Sequence, residues 1–173
     1  QLGNLTLRQG VSHTCDAASP LSSGHLDGDL QQELVQPLPG AQPQQGHNHT
    51  GAVLVLAGRS LSAGDELKCA WGYGPSGPGY ECNAAAAGSR MVLVVNSAIP
   101  ETSVFGHTAV PGFFFNETFA HLAVSIQGAA AGSDSILMVH GPRLMEQRGV
   151  FDVATCGGDC FNIYPSQSSS VIG

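Results

Sequence analysis

Charge is scarce in this sequence. Of its 173 residues only 11% are Asp, Glu, Lys or Arg, against roughly a quarter in an ordinary soluble domain. Lysine is almost missing: Lys68 is the only one, which leaves lysine-based nucleophilic chemistry a single candidate. Six basic residues against thirteen acidic ones give a net charge of −7. A nucleic-acid binder needs a basic face to displace counterions, and a polybasic membrane-surface protein needs the same. Both are excluded on balance of charge. Aromatic residues make up 6%. No apolar run approaches the roughly 18 residues that cross a bilayer as a helix. The signatures Gly-x-Ser-x-Gly, His-Glu-x-x-His and Ser-x-x-Lys do not occur, and no carboxylate pair stands out for glycoside hydrolysis. The reading is of a non-enzymatic chain with no cofactor.

What is present is apolar, glycine-rich and punctuated. Residues 42% hydrophobic, with 23 Gly and 10 Pro, suit a large core joined by many turns. Ala52–Ala57 is continuously apolar, as for a strand buried on both faces. Met91–Val95 is similar. His121–Gln127 alternates, with Leu122, Val124 and Ile126 facing in and His121, Ser125 and Gln127 facing out. Ser135–His140, Val150–Ala154 and Phe161–Tyr164 follow as further strands. Short strands without intervening long helices predict an all-β protein, an antiparallel β-sandwich of Greek-key or immunoglobulin-like topology. Residues 1–50 read as an irregular N-terminal arm of loops packed on the domain, 51–165 as the sandwich, and 166–173 as a Ser-rich tail or linker. One short helix is expected from about Gly28 to Val35, capped by Asp27 and stopped by Pro37.

Three sequons mark the compartment: Asn4-Leu5-Thr6, Asn48-His49-Thr50 and Asn116-Glu117-Thr118. Three or more such matches among six Asn arise by chance in about 4% of sequences of this composition. Glycans at Asn4, Asn48 and Asn116 would supply the solubility that charge does not. Five cysteines also suit an oxidising compartment. Cys156-Gly157-Gly158-Asp159-Cys160 is expected to close a local disulfide. No basic residue within that motif would activate a redox thiol. Cys69 and Cys82 flank a Gly/Pro-rich excursion and form the second preferred pair. Cys15 is then left over, as an intermolecular or unpaired thiol. Secretion or display at the cell surface is expected.

Other groupings carry weaker chemistry. Trp71, Tyr73 and Tyr80 fall on the Gly-rich excursion, where aromatic rings suit a sugar or a receptor pocket. The string Gly72-Tyr73-Gly74-Pro75-Ser76-Gly77 matches a dinucleotide fingerprint in form, but Pro78 and Gly79 deny it the required helix. His47 and His49 fall on one side of any extended strand, as in copper or zinc sites, yet the sequon at Asn48 between them favours exposed loop histidines over a metal. Asp27-Gly28-Asp29 lacks the remaining ligands of a sequential calcium loop. Phe113-Phe114-Phe115 should bury one or two rings on a strand and expose the other. An exposed ring there would stack on a glycan or contact a partner, with Phe113 and Phe115 as the contact candidates.

Val11-Ser12-His13-Thr14-Cys15 and Tyr80-Glu81-Cys82 resemble an early cysteine-bearing strand and the Tyr-x-Cys corner of the immunoglobulin superfamily. The resemblance covers only those residues. It implies a Cys15–Cys82 bridge in competition with Cys69–Cys82. Trp71 follows Cys69 and not Cys15, and Ser76 replaces the usual acidic residue, so the pattern is incomplete.

The function expected from these features is that of a secreted or cell-surface N-glycosylated β-sandwich module. Its role would be structural or adhesive, and its partners other extracellular glycoproteins or copies of itself. A carbohydrate- or receptor-binding module is the alternative. An extracellular metal-dependent enzyme built on His47 and His49 is the third reading.

Overall fold

A computed structural model describes residues 6–9, 20–39, 41, 50–58, 66–74, 77–82, 91–115, 118–128, 134–147 and 149–164, with backbone alone for 6–9, 66–74 and 77–82. The chain is mostly β. In order it forms β1 (Thr6–Gln9), β2 (Ser22–Gly24), β3 (Glu33–Leu38), β4 (Ala52–Leu56), β5 (Glu66–Gly74), β6 (Gly77–Cys82) and β7 (Met91–Val95). β8 (Val104–Gly112), β9 (His121–Gln127), β10 (Ser135–His140), α1 (Gly141–Glu146), β11 (Gly149–Asp152) and β12 (Cys160–Ile163) follow. Two principal sheets face each other. One has the order β11-β7-β4-β3-β2 and the other β12-β10-β9-β8. Both are open, so no barrel closes among the described residues. A separate set, β1-β5-β6, completes the described strands.

The alternating residues that point inward build the main core. Val35, Val53, Val55, Val92 and Val94 from the five-stranded sheet meet Phe105, Ala109, Leu122, Val124, Leu137 and Val139 from the other. β-branched side chains dominate because a pleated, fully buried surface suits their restricted rotamers. The opposite faces of β4 and β7 are apolar and buried too, in a second cluster around Leu54, Leu56, Leu93 and Val95. This explains why residues 52–57 and 91–95 read as continuous rather than alternating apolar runs.

The expected helix at 28–35 is absent. Residues 26–31 are bends, and β3 starts at Glu33. Leu34 and Val35 serve the two faces of a sheet, a demand of period two that outweighs a short, weakly capped helix. Pro37 is tolerated inside β3 because β2 reaches only Val35. Beyond it the ladder has β4 on one side alone, which leaves a free side for the missing N–H. β2 and β3 fall in the segment read as an irregular arm, yet they belong to the same sheet as β4. The sheets are also not purely antiparallel: β11 joins β7 in parallel, and β1 joins β5 in parallel.

The short helix lies instead at Gly141–Glu146. His140 caps it by accepting the Arg143 N–H at Nδ1, 3.3 Å away. Leu144 and Met145 seal the sandwich beside Leu26. A Cβ on Gly141 would run into the carbonyls of Ala120 and Leu26, so glycine sets how closely the helix packs there.

Cys156 and Cys160 form a disulfide with Cα atoms 5.9 Å apart, closing a turn in which Gly157 takes φ +60°. Both sulfurs lie against the main core. Loop-closure entropy for so short a loop is about 2 kcal/mol. Reduction should therefore lower unfolding stability by about that amount, read as a shift in the urea midpoint with and without reductant. Among the described residues no helix is long and apolar enough to cross a membrane.

Candidate functional site

Two groupings of side chains stand apart from the core. The first covers the outer face of the four-stranded sheet. The β9–β10 register sets His121 opposite His140, Ala123 opposite Met138 and Ser125 opposite Ile136. β12 extends these rows with Phe161 beside Met138 and Ile163 beside Ile136. Over this face lies the loop after β8. Phe113, Phe114 and Phe115 follow the end of the strand and are 54%, 48% and 60% exposed. The expectation that strand alternation would bury one or two of them fails, because β8 stops at Gly112.

The rings touch in sequence. Phe114 and Phe115 centroids are 6.5 Å apart, Phe115 and Phe161 5.4 Å, and Phe115 meets His121 edge-on at 5.5 Å. Phe119 sits 4.4 Å from His140 and 5.4 Å from His121, and the two imidazoles are 5.7 Å apart. His121 points outward as the alternation predicts, but the phenyl rings cover it, leaving it 7% exposed. Its Nδ1 has no hydrogen-bond partner. Burial pushes the His121 pKa down, and the neighbouring His140 adds to the effect.

The sign of the resulting pH dependence is set. The folded state binds the His121 proton less readily than the unfolded chain, whose histidine titrates near 6.5. Its contribution to stability is complete above that value and is lost as pH falls toward the lower folded pKa. His140 faces it across the register, while Arg143 is drawn toward Glu146 and Asp159 (3.0 and 3.7 Å). Urea unfolding at pH 5 and pH 7 should show lower stability at pH 5, and a His121→Phe chain should show a smaller difference.

The second grouping is acidic. Asp27, Asp29 and Glu33 each offer a carboxylate oxygen, and these oxygens lie within 4.8 Å of one another. The bends that fold this segment back are held by Asx contacts: Asp27 Oδ1 accepts the Asp29 N–H at 3.0 Å and Asp29 Oδ1 accepts the Gln31 N–H at 2.6 Å. Gly28 supplies φ +80°. Glu33, at the start of β3, is 0% exposed. Its Oε2 accepts the Leu26 N–H at 2.7 Å, and its Oε1 has no partner. Burial pushes the Glu33 pKa up. The Leu26 hydrogen bond opposes this, and Asp27 and Asp29 add repulsion. Among the described residues no Lys or Arg pairs with any of the three. In the sequence only Asp27-Gly28-Asp29 stands out as a grouping. Glu33 is hidden there because residues 28–35 carry a helix-like pattern, and only the turn into β3 brings the third carboxylate back.

The other expected site residues are placed as follows. Cys69 stands opposite Cys82 in the β5–β6 register, and Trp71 opposite Tyr80. Tyr73 lies opposite Pro78 near the hairpin end. These aromatics are on paired strands, not on a loop. Asn4, Cys15, His47, Asn48, His49 and Asn116 lie outside the described residues, and with them the Cys15–Cys82 alternative and the histidine metal reading. No protein-family model matches the chain, and no curated protein or solved structure matches it either.

Proposed function

We propose that this chain is a structural or adhesive module of an extracellular glycoprotein assembly, and that it docks a second copy of itself. The observation that carries this reading is the exposed row Phe114–Phe115–Phe161, which runs onto the edge strand β12. A single exposed ring is ordinary. A connected row beside a sheet edge that no other strand pairs among the described residues is a surface that monomers normally blunt. Two copies related by a twofold axis can pair β12 with β12 antiparallel and bring both rows together, an isologous contact. The row itself carries no charge, so it brings no like charges into contact, although the net charge of −7 repels two copies at longer range. The sequons and the Cys156–Cys160 disulfide support the extracellular setting.

Hydrogen exchange at two protein concentrations tests this. Amides of Cys160–Ile163 should exchange more slowly as concentration rises through the dimerisation range. Exchange unchanged up to about 1 mM, beyond the range of specific complexes, would contradict the reading. The carbohydrate-binding alternative is favoured by one feature, the placement of Trp71 opposite Tyr80 in the β5–β6 register. Replacing Trp71 by Ala should then abolish binding on a glycan array.

A further inference from the structure

We propose that Asp27, Asp29 and Glu33 form a calcium-binding site. The inference stands apart from the assembly reading and rests on different residues. Three carboxylates converge so that their oxygens lie within 4.8 Å of one another. Two oxygens on one calcium ion, each at 2.3–2.6 Å, are at most about 5.2 Å apart, so three oxygens within 4.8 Å of one another can share one ion. Magnesium is usually held by only one or two protein carboxylates and keeps several waters, so three converging carboxylates suit calcium better.

Convergence alone is not the argument. Glu33 is fully buried, and its Oε1 has no hydrogen-bond partner in the fold. An unpaired buried carboxylate oxygen is costly, and a sequence under no other demand would place Gln or Leu at that position. A cation supplies the missing partner. All the donors are oxygen, which selects a hard ion over zinc or copper. Asp27 and Asp29 are half-buried, so the ion enters from their side and keeps water on its open face. Each Asp oxygen already accepting a backbone N–H leaves its carboxylate further lone pairs for a metal. The loop is also held from behind. Leu26 belongs to the main core, and the His25 carbonyl accepts the Ala120 N–H at 3.3 Å. The site is thus tied to the segment that enters β9.

The test is calorimetric titration of chelator-treated protein with calcium chloride at neutral pH, paired with a melting curve. One ion should bind per chain, and the melting temperature should rise with calcium. Glu33→Gln and Asp27→Asn should each weaken binding at least tenfold. Both remain folded, because Gln keeps an acceptor for Leu26 and Asn keeps one for the Asp29 N–H. Glu101→Gln, on a distant turn, should leave binding unchanged. No heat and no melting shift up to about 5 mM calcium, above the range of weak extracellular sites, would overturn the assignment. So would undiminished binding in both variants. Equal affinity for magnesium would overturn the choice of calcium.

Discussion

Gly51→Ala is expected to cost this protein about 4 kcal/mol or more, in the rare tail of single-residue effects. Two penalties add. Gly51 takes φ +83°, a conformation that costs an L-residue about 1–2 kcal/mol. An added Cβ would also land on the Phe105 carbonyl oxygen and approach the Pro39 carbonyl oxygen at 3.2 Å. Both obstacles are backbone, so no side chain can swing away. They are held where they are, since the Phe105 N–H donates to Thr50 O at 2.8 Å and the Gly51 N–H to Ala41 O at 3.0 Å. This is the crossing at which the start of β4 touches the start of β8. Gly106 approaches Ala52 O there with φ +71°. The two sheets meet backbone to backbone, and the fully buried Phe105 ring beside the contact fills the core. Gly149 supplies the control. It takes φ +79° but has nothing within 4 Å of a Cβ, so Gly149→Ala should cost only the conformational part, about 1–2 kcal/mol. Melting temperatures should fall by about 10 °C for Gly51→Ala and by only a few degrees for Gly149→Ala. Equal shifts would mean that the sheet crossing is looser than described.

How much of this could be read from the residues depended on what each segment was answering to. β4, β7, β9 and β10 are legible because their apolar runs or alternations respond to a face buried in a nearby layer, and β11 and β12 are legible from apolar residues that stay largely exposed. β8 was not legible. Its sequence, Val-Phe-Gly-His-Thr-Ala-Val-Pro-Gly, holds two glycines and a proline, and its register with β9 shifts between Phe105 and Ala109. Those residues fit the sheet crossing and the irregularity, and they erase the local strand signal. β3 was hidden by acidic and amide residues that resemble a helix start. The acidic grouping disappeared with it, since Glu33 meets Asp27 only after the bends. The aromatic face was half legible. Phe113–Phe115 are conspicuous in sequence, but Phe161, His121 and His140 join them through strand register alone, which no local pattern encodes.

The replacement of Phe115 and Phe161 together by Ser should have the largest effect on association. Phe115 is 60% and Phe161 44% exposed, so neither is held mainly by the core, and the fold should survive their loss. Burying two rings at the centre of an interface contributes about 3 kcal/mol, equivalent to more than a hundredfold in dissociation constant. Phe115 also packs edge-on against His121. The double variant should therefore also raise the histidine's exposure and shrink the difference in stability between pH 5 and pH 7. If Asn116, the residue after Phe115 in the sequence, carries a glycan, a further condition applies. If the rings stack on that sugar instead, removing the glycan would strengthen association and the double variant would then abolish it.

In the assembly we propose, the outer face of the β12-β10-β9-β8 sheet is an interface between copies. Sedimentation equilibrium of the oxidised protein, produced through a secretory pathway, decides this when run beside the Phe115→Ser/Phe161→Ser double variant at about 50 μM, well within the range of specific dimers. The parent chain should sediment as a dimer and the double variant as a folded monomer. A parent chain that sediments as a monomer, or a double variant that dimerises as well as the parent, would contradict the proposal.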